Sequence, residues 1–111
     1  MPNVFKNAHK QGVTTVTDIY EAPASKTSIV LEMDVANVTY MLVQVSVTVT
    51  DSDASPSATS TYLIKDAPLP TGGTLQVVSG QKIILDAGDK IQVTSTGTCD
   101  VVAAVLEDIN T

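Results

Sequence analysis

The chain has 111 residues, of which 43% are hydrophobic and only 16% charged, and its formal net charge of −6 comes from twelve acids set against six Lys and no Arg. That is the size of one domain, large enough for a core without disulfides or a metal. The missing Arg weighs against recognition of phosphates and base edges, so no nucleic-acid partner is expected. The single cysteine cannot form an internal disulfide, and no apolar run approaches the roughly 18 residues of a membrane-spanning helix.

Met1–Gly12 is polar, carries Lys6 and Lys10, and shows no clean period. It lacks the apolar stretch of a signal peptide, so synthesis in a cytoplasm is expected. The segment reads as a short flexible arm, residues 1–12, in front of a single domain at 13–111. Phe5, the only Phe, either packs back onto its own sheet or plugs into a neighbour.

Val13–Glu21 is rich in β-branched residues and predicts a first strand, ended at Pro23. Lys26–Ala36 alternates, with Ile29, Leu31, Met33 and Val35 on one face and Ser28, Glu32 and Asp34 on the other. Asn37-Val38-Thr39 is a short connection. The strongest strand follows, with Met41, Val43, Val45, Val47 and Val49 all pointing inward. Asp51–Ser60 combines Asp, Ser and Pro without a bulky apolar residue and predicts a surface loop. Thr61–Lys65 is another strand. Asp66–Gly73, stiffened by Pro68 and Pro70, is expected to cross between sheets.

The stretch Leu75–Val93 then reads as three short strands, Leu75–Val78, Lys82–Leu85 and Lys90–Val93, folded back at Ser79-Gly80 and at Asp86–Asp89. Asp100–Ile109 is apolar on both faces near Val101–Val105, as for a strand in the body of a sheet or against a subunit neighbour. About eight strands and no helix predict an all-β antiparallel sandwich of jelly-roll or Greek-key type.

Residues suited to chemistry are few. His9 is the only histidine and lies in the arm, away from any serine that could complete a triad. Cys99 has no nearby base and reads as a buried or half-buried small residue at a strand start. Asp51 and Asp53 are spaced like alternate calcium ligands, but no Gly bend or terminal Glu follows. Asp86 and Asp89 flank Gly88, where a tight turn capped by Asp86 explains them better than acid–base work. Gly72-Gly73 and Gly80 lack the residues of a phosphate loop. No catalytic, metal or cofactor site is expected. Residues suited to contact are Val4, Phe5 and Lys6 in the arm, then Asp51 and Asp53 in the exposed loop.

Four segments form an ordered set: Y-x-x-P-A-x-K-T at Tyr20–Thr27, a long alternating strand at Met41–Thr50, L-P-x-G-x-x-L at Leu69–Leu75 and L-x-A-G-D-x-I-x-V at Leu85–Val93. Over roughly residues 13–109 the chain resembles a group of small tailed-phage virion structural proteins. The resemblance implies a β-sandwich accessory component of a phage particle. Such components serve as head decoration (cement), collar or fibre proteins and often associate as homotrimers. The implied partners are copies of itself and other virion proteins, such as the major capsid protein or neck and tail proteins, in a particle assembled in the host cytoplasm. No membrane partner and no catalytic residue come with it. Sugar binding usually uses aromatic platforms, and only Tyr20, Tyr40 and Tyr62 are present beside Phe5, so a glycan-binding fibre module is the weaker reading.

Overall fold

The computed structural model describes residues 4–52 and 59–107. The described residues form eight strands: β1 (Val4–Val13), β2 (Thr17–Glu21), β3 (Ser28–Asn37), β4 (Val43–Asp51), β5 (Thr59–Leu69), β6 (Thr74–Leu85), β7 (Lys90–Ser95) and β8 (Cys99–Glu107). They build two four-stranded sheets, ordered β1-β8-β3-β6 and β2-β7-β4-β5. Strand β1 pairs with β8, β2 with β7, β3 with β6 and β4 with β5, all antiparallel. The chain is thus one long antiparallel ribbon, folded at β4–β5 and rolled so that β3 also meets β8 and β4 also meets β7. That topology is a jelly roll, in agreement with the expected fold class.

The core between the sheets is aliphatic. Val30, Met33 and Val35 of β3 meet Val45 and Val47 of β4, Ile91 and Val93 of β7, and Val101, Ala103 and Val105 of β8. Each such fully buried chain contributes about 1.5–3 kcal/mol relative to exposure. Cys99 is buried at the first position of β8, as expected, with its Sγ 3.2 Å from Ser95 Oγ.

Several boundaries differ from the sequence reading. The described part of the segment read as a flexible arm belongs to strand β1, in register with β8 from Val4↔Glu107 to Lys10↔Val101. It lies at a sheet edge with one neighbour and buries little, so backbone pairing rather than an apolar period holds it in place. In β3 the alternation changes phase. A register break between Val30 and Glu32 leaves Leu31 in a bulge, so the buried positions are Ser28 and Val30 before it, and Met33, Val35 and Asn37 after it. Ile29 and Leu31 are therefore not core residues. Strand β4 starts at Val43, which leaves Met41 exposed in the preceding loop.

The segments Leu75–Val78 and Lys82–Leu85 are one strand, β6. Ser79-Gly80 is a bulge inside it, not a hairpin turn. Gly80 has φ 109° and Lys82 φ 57°, and the pairing with β3 jumps from Glu32↔Ser79 to Val30↔Ile83. Strand β5 also runs on through Pro68 to Leu69, and only the short segment after it crosses between sheets. Pro68 is tolerated there because β5 is an edge strand. Strand β8 lies in the body of a sheet, but it is buried on one face only. Val101, Ala103 and Val105 point inward while Val102 is exposed.

All four sheet edges carry irregularities or charge. In β1, Lys6 and Lys10 stand opposite the inward-facing Val105 and Val101, which places both lysines on the core side of the edge. The bulge at Gly80–Lys82 interrupts β6, a break between Asp18 and Tyr20 interrupts the short β2, and Pro68 removes a donor from β5.

Candidate contact surfaces

The register lines up an apolar row across the outer face of the β1-β8-β3-β6 sheet. Phe5 stands opposite Leu106, Leu106 opposite Ile29, and Ile29 opposite Ile84. Phe5 is 74% exposed and Ile84 65%. The neighbouring row, Asn7, Ala104, Glu32 and Ser79, is mostly polar, so the apolar row is a bounded stripe at one end of the sheet. Of the residues expected to make contacts, Phe5 forms one end of this stripe. Val4 lies beside it, opposite Glu107, and Lys6 pairs its Nζ with Glu107 Oε1 at 3.1 Å. Asp51 is elsewhere, as the exposed last residue of β4 opposite Thr59, and Asp53 lies outside the described residues. The structure does not bring Asp51 together with the β1 residues.

A second apolar surface lies at the other end of β3. The loop after Asn37 exposes Val38, Tyr40, Met41 and Leu42, with Tyr40 fully exposed. The loop is held from beneath by Asn37, which is 4% exposed. Its Nδ2 donates to the Met41 carbonyl at 2.8 Å and the Leu69 carbonyl at 3.0 Å. Its Oδ1 accepts from the Thr39 amide at 2.8 Å and the Thr39 hydroxyl at 2.7 Å. The Thr71 hydroxyl donates to the Thr39 carbonyl. One buried amide thus fixes a loop whose tip turns its large side chains to solvent. Sequence reading passed over Asn37 as part of a connection.

Beneath the stripe a polar cluster joins the sheets. The Tyr20 hydroxyl, from β2, donates to Glu107 Oε2 on β8 and lies 2.9 Å from Ser28 Oγ on β3. Burial, and then the hydrogen bond to the Glu107 carboxylate, push the Tyr20 hydroxyl well above its ordinary range, with Ser28 opposing. Because the folded value is raised, the unfolded chain ionises first. The stabilisation is complete below about pH 10 and falls as pH rises beyond it. Tyr20→Phe is therefore expected to flatten the alkaline loss of stability. The wild-type advantage in urea midpoint over the variant should shrink above about pH 10.

The corner Asp86–Asp89 is a turn, as expected, with Gly88 at φ 85°. The capping residue is Asp89 rather than Asp86. Asp89 Oδ2 accepts from the Asp86 amide at 3.1 Å, and Oδ1 accepts from the Ser52 amide at 3.1 Å and the Ser52 hydroxyl at 3.3 Å. Asp89 is buried and Asp86 exposed, so the pair shares no pocket in which to exchange protons. His9 is exposed on β1 opposite Val102. Among the described residues no group of three or more His, Cys, Asp or Glu is placed to hold a metal ion.

No family model matches the chain, and no curated protein does. Solved structures overlap with it at low identity. A chain of the Bacillus endospore appendages, described as a novel family of disulfide-linked pili, shares 10% identity over 96% of this chain and 84% of that one, with a TM-score of 0.52. A chain of the infectious bursal disease virus Gt strain shares 10% identity over 94% of this chain and 32% of that one, at 0.53. A chain of the T13 particle of infectious bursal disease virus gives 10%, 96%, 35% and 0.53. The chain spans about a third of the length of these virus chains. The likeness is one of fold: the jelly roll of this protein is shared with chains of an icosahedral virus particle and of a bacterial appendage.

Proposed function

We propose that this protein is a non-enzymatic structural component of a phage particle, a head decoration (cement) protein that binds and stabilises the capsid shell. The observation that carries this reading is the pair of apolar surfaces at opposite ends of β3. From Ile29 in the stripe to Asn37 beneath the loop is roughly 25 Å at ~3.3 Å per residue. A module with an adhesive surface at each end can bridge two neighbouring subunits, which is how a cement protein acts. Exposed apolar patches bounded by polar residues mark such contacts. The jelly-roll likeness to virus-particle chains and the resemblance of the ordered motifs to those of small phage virion proteins support the same reading. Its partners are the major capsid protein and further copies of itself, as a homotrimer.

The second reading, a neck, collar or tail-fibre component, rests on the same surfaces and is separated by stoichiometry. Mass spectrometry of purified particles is expected to count this chain in the hundreds per particle. A count near a dozen would move the protein to the neck or fibre. Phe5→Ser and Tyr40→Ser are each expected to weaken binding to undecorated shells by about tenfold or more, because exposed aromatic anchors carry about 2 kcal/mol or more at interfaces. Unchanged occupancy in both variants would remove the proposed surfaces from the contact.

A further inference from the structure

The outer face of the β2-β7-β4-β5 sheet has a different chemistry. Its middle row runs Asp18, Gln92, Thr48 and Tyr62 in register. Ser46 and Thr94 stand opposite each other on one side of that row, and Thr50 and Ser60 on the other. A groove of about 480 Å³ lies over this face, within the range of small-molecule sites. It is lined by hydroxyls and one amide, with the Asp66 carboxylate, the Tyr62 ring and the Val16 side chain.

A bulge brings Asp66 into the groove. Strand β5 places Ile64 opposite Val47 and Ala67 opposite Val45, so Lys65 and Asp66 together face the single residue Ser46. Asp66 takes a left-handed backbone, φ 52°. Its amide donates to Ser46 Oγ at 2.9 Å, and the same hydroxyl lies 3.4 Å from Asp66 Oδ1. Bulges of this kind re-aim a side chain, and non-glycine residues held at positive φ gather at ligand sites. Tyr62 is 53% exposed, and the Lys65 ammonium lies 5.4 Å from its ring centroid. Within the row, the Gln92 amide is fixed between neighbours: its Nε2 donates to Asp18 Oδ1 at 2.7 Å, and its Oε1 accepts from Thr50 at 3.2 Å.

We infer that this groove is a saccharide-binding site, with the Tyr62 ring against the C–H face of a neutral pyranose and Asp66, Ser46 and Thr94 on its hydroxyls. The lining residues themselves include no cation, and the Lys65 ammonium beside them is engaged over the Tyr62 ring, which disfavours phosphate or sulfate as the ligand. A purely apolar ligand would strand the carboxylate and the hydroxyls. A neutral sugar uses both kinds of surface: an aromatic ring for its apolar face and an acceptor-rich rim for its hydroxyls. Sequence reading set sugar binding aside on the scarcity of aromatics, but one ring beside a convergent polar groove is sufficient for a single pyranose.

The site is tested by titrating the full chain, in a two-dimensional amide NMR experiment, with methyl glycosides of glucose, galactose, mannose and N-acetylglucosamine. A printed array of neutral oligosaccharides provides a second readout. Saturable shifts confined to Ser46, Thr48, Tyr62, Asp66 and Thr94 are expected with at least one probe. Tyr62→Ala and Asp66→Asn should each weaken binding by about tenfold or more. Asn tolerates the same left-handed backbone, so Asp66→Asn keeps the bulge. Shell binding should be unaffected in both variants, which separates this site from the decoration reading. No saturable shift with any probe and no array signal, shifts centred elsewhere, or binding unchanged in both variants would overturn the inference.

Discussion

Asn37→Ala is expected to cost about 3 kcal/mol of folding free energy and to lower the melting temperature by about 10–20 °C. Asn37 uses its full amide capacity: two donors to the Met41 and Leu69 carbonyls, and two lone pairs for the Thr39 amide and hydroxyl. Alanine fills none of these roles. The Leu69 carbonyl bond is buried and the Thr39 amide is partly buried, so water replaces them poorly. Each buried partner left unmade costs about 1–3 kcal/mol, and two such groups account for the total. Urea unfolding with an unchanged m-value would measure it. Tyr40→Ser, on the same loop but fully exposed, should change stability by less than about 0.5 kcal/mol. The contrast separates the residue that shapes the loop from the residue that the loop presents. A small cost for Asn37→Ala would mean that the loop is held by Thr39 and Thr71 alone.

Val30→Asp and Leu31→Asp should differ in severity in the order opposite to a simple alternation of β3. Val30 is fully buried between the sheets among apolar side chains. An unpaired charge there costs more than about 4 kcal/mol, enough to abolish cooperative folding in a domain of this size. Leu31 sits in the bulge and is only half-buried, so Leu31→Asp should cost about 1 kcal/mol and leave a folded protein. Circular dichroism and denaturant midpoints distinguish the two outcomes. If Leu31→Asp proved the more damaging, the bulge would be misplaced, and Ile29 would leave the outer stripe with it.

The contrast between those positions shows where sequence patterns stop being informative. The run of valines in β4 and the alternation of β7 were readable because each pairs on both sides and buries one face without interruption. From them the sandwich followed, while the corner at Asp86–Asp89 was legible from its Asp and Gly turn residues. Strand β1 was not readable, because an edge strand draws its order from backbone pairing and buries only Val13 and, in part, Ala8. The phase change at Leu31 was not readable either, since a bulge leaves the residue types unaltered while reversing which face they occupy. The contact stripe was further out of reach. Phe5, Ile29, Ile84 and Leu106 are far apart in the chain and meet only through the register of four strands. Asn37 carried a faint signal, an amide at the end of a strand just before an exposed apolar loop. The groove signal was Asp66 beside Pro68 in a strand that also carries Tyr62, which read as a connection rather than as a bulge aimed at a ligand.

The lysines that β1 turns toward the interior bear on how many copies can gather in one place. A flat, neutral edge would let one copy add its sheet to the next, and growth would then run on with concentration into a filament. Here a second chain docking on β1 would have to bury the charges of Lys6 and Lys10, while β6, β2 and β5 each present a kink or a missing donor. Extension by strand addition is hindered at every edge, which favours faces and loops for association. For a protein acting as proposed, occupancy then saturates when the underlying surface is covered. Excess protein stays dispersed instead of polymerising, so the copy number is set by the template and not by the supply.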